Sequence, residues 1–108
     1  MKSIQLLHDT AEKERVKSQG LRKEAEKHRQ KAQDNLDNPD VIITENNEAQ
    51  RNEEKASQHD QEAAALEKEA TELEAKALEL NRRKNEIQAT SQAQMNKLDQ
   101  EEKMLRGQ

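Results

Sequence analysis

An alanine repeat constrains this chain more than any other feature. Ala49, Ala56, Ala63, Ala70 and Ala77 fall every seven residues, and Leu66, Leu73, Leu80 and Ile87 keep the same interval three places on. Two apolar series at this offset are the a and d positions of a heptad, gathered on one face of an α-helix. So narrow a stripe can be covered only by another helix. The pattern therefore predicts an all-α fold held together as a coiled coil.

The region before the single proline repeats the theme less cleanly. Its a positions are Ile4, Ala11, Ser18, Ala25 and Ala32, and its d positions are Leu7, Glu14, Leu21 and His28. Gly20 interrupts it, at roughly 1 kcal/mol relative to alanine. Pro39 lies within Asp37-Asn38-Pro39-Asp40, a turn-forming run whose proline disfavours helix in the residue before it. We expect one coiled-coil domain over residues 1–108: a first helix about 3–36, a connection about 37–44 and a second helix about 44–106. A start at Pro39, capped by Asn38, is the alternative. The three β-branched residues Val41-Ile42-Ile43 favour the later start.

A short connection makes neighbouring helices antiparallel. If paired residue numbers total 84, the layers are Ile4–Leu80, Leu7–Ala77, Ala11–Leu73, Ser18–Leu66 and Leu21–Ala63, with the bend at residue 42. Large then mostly faces small. This register leaves Ile87, Leu98 and Leu105 beyond the reach of the first helix. Either the second helix runs on unbroken and pairs with another chain, or it breaks near Thr90-Ser91 and folds back. The heptad phase crosses that point without a slip, which favours the unbroken helix. The expected architecture is thus an antiparallel coiled-coil helical hairpin with a long second helix, and a three-helix bundle is the alternative. Gly107, after Arg106, is a suitable stop.

Charge segregates along the chain. Residues 1–36 carry nine basic and six acidic side chains, residues 37–80 four and thirteen, and residues 81–108 six and four. Such alternation suits helices that pack on one another, with flanking charges choosing the partner.

Little in the sequence speaks for catalysis. There is no cysteine and no aromatic residue, and only Gly20 and Gly107 are available to a phosphate-cradling loop. We expect no enzyme activity and no cofactor. His28 and His59 both occupy d positions, where charging would make the seam sensitive to pH, although amphipathic side chains edging a thin core explain them as well. Glu24 with His28, and His59 with Glu62, have the helical spacing of metal ligands, but in so charged a chain such pairs arise by chance, and no metal site is expected. Arg82-Arg83-Lys84 is the densest basic cluster, and a solvated helix face accounts for it better than nucleic acid.

The expected function is that of a structural or interaction module, an adaptor or assembly subunit that binds partner helices and self-associates as a dimer. Its candidate partner-binding residues are Val41, Ile42 and Ile43 near the bend and Ile87, Met95, Leu98 and Leu105 in the last third. The alternative is an inhibitor or regulator that lays the acidic 45–79 helix on a basic protein surface, and a secretion-type chaperone is more distant. No run of apolar residues is long enough to span a membrane, and the absence of cysteine fits a cytoplasmic setting.

Overall fold

The computed structural model describes residues 3–107. These residues form two helices and no strand, α1 (Ile4–Asp34) and α2 (Pro39–Arg106), and are 94% helical. Ser3 starts α1 because its Oγ accepts the Leu6 amide at 3.0 Å, satisfying a donor that the first turn leaves without a partner. At the other end the Asn35 side-chain amide donates to the Lys31 carbonyl at 2.7 Å and stops the helix.

The second helix begins at Pro39, so the connection is shorter than the expected residues 37–44. Asn38 accounts for the difference. Its Oδ1 accepts from the Val41 amide at 3.4 Å and its carbonyl accepts from the Ile42 amide at 3.2 Å, while Pro39 occupies a position that needs no donor. That cap outweighs the few tenths of a kcal/mol by which each β-branched residue disfavours a helix. Val41-Ile42-Ile43 is helical. At Thr90-Ser91 the helix also continues without a break, so no third helix forms among the described residues.

By its packing the chain divides into two units, Met1–Thr71 and Glu72–Gln108. In the first, α1 and the opening half of α2 form an antiparallel hairpin. The second is helical through Arg106.

Cross-helix side-chain pairs give the register of the hairpin. Arg15–Glu67, Arg22–Asp60 and Arg29–Glu53 have numbers totalling 82, and His8–Glu67 totals 75. These are e positions facing e positions. His28–Glu45 and His59–Glu14, d beside d, each total 73. Antiparallel geometry with these flanking totals sets the core layers at 77. Leu7 then faces Ala70, Ala11 faces Leu66, Glu14 faces Ala63, and Leu21 faces Ala56. This corrects the total of 84 by one heptad, and it moves the bend to the Asn38–Pro39 junction. Burial follows the same layers: Leu7 is 1% exposed, and Ala11, Ala49, Ala56 and Ala70 are fully buried.

Leu7 is the largest side chain wholly removed from solvent. A buried methyl is worth about 0.8 kcal/mol, against about 1.5–3 kcal/mol for a whole leucine side chain. An alanine seam therefore brings two backbones close while contributing modest free energy. The polar pairs along its edges add charge complementarity to it.

Candidate interaction surface

The edges of the hairpin carry a consistent polarity, with cations from α1 meeting carboxylates from α2. Arg29 donates through Nε to Glu53 Oε1 at 2.8 Å and through Nη2 to Oε2 at 3.0 Å. Arg22 Nη2 lies 2.6 Å from Asp60 Oδ2, and Arg15 Nη1 lies 3.4 Å from Glu67 Oε1. The hydrogen bond from Arg29 holds the Glu53 carboxyl below its ordinary range. Asp60 is lowered first by the Ser18 hydroxyl and then by Arg22.

Each of the three histidines faces a glutamate of the opposite helix. His8 Nδ1 is 2.8 Å from Glu67, His28 Nδ1 is 2.5 Å from Glu45, and His59 Nδ1 pairs with Glu14. The last pair reverses the polarity, since here α1 supplies the acid. Glu14 is 8% exposed at a d position, and Lys17 approaches its other oxygen at 3.3 Å. His59 lowers the Glu14 carboxyl, and Lys17 adds to this, against burial that raises it. Glu62 stands on the turn after His59, so that Glu14, His59 and Glu62 bring three ligand atoms within 4.8 Å of one another. Spacing alone pointed to His59 with Glu62. The third ligand, Glu14, comes from the other helix, and its only signal in the sequence was a charged residue at a d position.

The candidate partner-binding residues separate into two places. Near the bend, Val41 and Ile42 are half-buried and Ile43 is exposed. Ile42 lines a shallow groove with Ala32 and Leu36, so it packs at the mouth of the hairpin while Ile43 faces water. Ile87, Met95, Leu98 and Leu105 belong to the second unit and are all exposed, Ile87 at 66%. Leu78, Leu80 and Met104 join them, of which only Leu80 had been placed in a seam.

The basic cluster in the same unit is bound within its own helix. Arg82 pairs with Glu79 and Glu86, and Arg83 Nε reaches Glu79 at 3.2 Å. Those contacts lower the Glu79 carboxyl and raise the Arg82 guanidinium. An open groove elsewhere, lined by Lys23, Glu26, Lys27, Arg29, Gln30 and Gln33, lies along α1 alone. Among the described residues no helix is long and apolar enough to cross a membrane. No protein-family model, curated protein or solved structure matches this chain.

Proposed function

We propose that this protein is a non-enzymatic coiled-coil interaction module, an adaptor or assembly subunit, that pairs through residues 72–106 with a second copy of itself. One contrast carries the reading. Leu80, Ile87, Leu98 and Leu105 occupy a and d positions and are exposed, whereas the equivalent positions Leu7, Ala56 and Ala70 in the hairpin are buried. An apolar heptad face left in water is stabilised by a partner helix with the same period. The same seam contains Lys84, Ser91, Gln94 and Glu101, polar residues that restrict which helix and which register fit. A cytoplasmic setting accords with the absence of cysteine.

The electrostatic inhibitor has less to support it. Glu53, Asp60 and Glu67 of the acidic helix are engaged by arginines of α1, which reduces the field a basic partner would meet. Molar mass by light scattering across a concentration series tests the proposal. A helical dimer, retained in high salt, is the expected result. A helical monomer at every concentration overturns self-association.

A further inference from the structure

We propose that Glu14, His59 and Glu62 form a binding site for a divalent transition ion of the zinc type, which bridges the two helices of the hairpin. Each helix contributes what the other lacks. His59 and Glu62 lie one turn apart on α2, a spacing that puts both on one face, and Glu14 enters from α1 in the antiparallel register. Their ligand atoms already lie within 4.8 Å of one another. Tetrahedral zinc with bonds near 2.0–2.2 Å needs about 3.3–3.6 Å between ligands. Closing that gap takes rotamer changes, and Glu62, at the exposed edge, is free to make them.

The donor set selects the ion. One imidazole nitrogen with two carboxylates suits borderline ions such as Zn²⁺, whereas Ca²⁺ prefers about six to eight oxygens. The ion takes the place of the hydrogen bond between His59 and Glu14 and needs an unprotonated ring nitrogen facing it. The groups facing the site are Lys17, which approaches Glu14 from α1, and Asp60, which neighbours His59 on α2 and is held by Ser18 and Arg22. Lys17 is 60% exposed and can withdraw into water when the ion arrives. Neither His8–Glu67 nor His28–Glu45 belongs to such a trio among the described residues.

The test uses the untagged full-length chain, stripped with chelator and melted by circular dichroism with and without excess zinc chloride, with calcium chloride as control. Light scattering runs alongside. Zinc is expected to raise Tm by several degrees where calcium does not, at unchanged molar mass. Glu62→Gln, which alters only an exposed side chain, is expected to keep the apo Tm and lose most of the shift, and His8→Gln to keep it. No zinc shift in the wild-type chain overturns the proposal. So does a shift undiminished in Glu62→Gln, or one that appears only with a rise in mass, since zinc would then be joining molecules at surface groups.

Discussion

Arg29 and Glu53 meet across the hairpin in a two-pronged contact, Nε to Oε1 at 2.8 Å and Nη2 to Oε2 at 3.0 Å. Parallel hydrogen bonds of this kind fix orientation as well as proximity. Arg22–Asp60, one heptad further from the bend, has the same total of 82. Both contacts belong to one alignment of α1 on α2, but a slip of seven residues would re-pair Arg29 with Asp60 and Arg22 with Glu67, so charge, like the alanine layers, tolerates it and the bend position decides.

The alignment is checked by cross-linking. The chain contains no cysteine, so any introduced pair reports unambiguously. Leu21→Cys with Ala56→Cys is expected to oxidise readily to an intramolecular disulfide, because the two stand in one layer. Leu21→Cys with Ala63→Cys, a full heptad away, is expected to stay reduced under the same conditions. The reverse outcome restores the total of 84 and removes the register described above.

Close packing at the alanine layers makes a second prediction. Ala56 is wholly buried, and Ala77, in the same heptad series, is exposed in the second unit. Enlarging a side chain in a packed core destabilises by about 1–3 kcal/mol. Ala56→Leu should lower the urea midpoint of the hairpin accordingly, and Ala77→Leu should leave it within error. Equal effects at the two positions would mean that the seam extends past Thr71.

How much of this was legible in the sequence depends on which force decided each feature. The helical class, the antiparallel pairing and the uninterrupted α2 follow from apolar spacing, which is local and periodic. The register does not. Alanines repeat identically every seven residues, so a one-heptad slip leaves most layers chemically unchanged, and the bend position alone distinguishes the alternatives. That position turned on whether Val41-Ile42-Ile43 was helical. Their β-branching argued one way, and the Asn38 cap with Pro39 at the first helical position decided the other. Glu14 was legible as an anomaly at a d position, but its partner was not, because assigning His59 to it requires the register first. With the total at 77, His28 and His59 each acquire a carboxylate from the opposite helix, and neither imidazole edges the core alone.

Acid should loosen the hairpin, and the sign can be worked out. Glu14, Glu53 and Asp60 are all lowered in the folded state by partners across the helix pair. Unfolded, such carboxyls titrate near 3.9–4.3, so between the folded and unfolded values the unfolded chain binds more protons. Their contribution is complete above the unfolded values and is lost as pH falls through the folded ones. The urea midpoint is therefore expected to decline below about pH 4.5. Arg29→Ala should flatten part of that decline by removing the main cause of the Glu53 shift. Glu79, whose arginine partners lie on its own helix, should contribute to α2 and not to the hairpin. A midpoint constant into strong acid would show that these pairs are neutral to stability.

The exposed heptad positions of the second unit give the last prediction. Ile87 and Leu98 lie on the a and d stripe and have no buried role in the hairpin, which ends its unit at Thr71. A charge at either position keeps the helix intact but places an unpaired carboxylate in any seam built on that face, where desolvation has no compensation. Ile87→Asp with Leu98→Asp is thus expected to shift the self-association constant by at least tenfold, which is about 1.4 kcal/mol, toward monomer. The cooperative melt assigned to the hairpin should not move. Light scattering measures the first effect and circular dichroism the second. Association undiminished in the double variant would transfer the interaction to another surface, with Ile43 and its half-buried neighbours at the bend the next to alter.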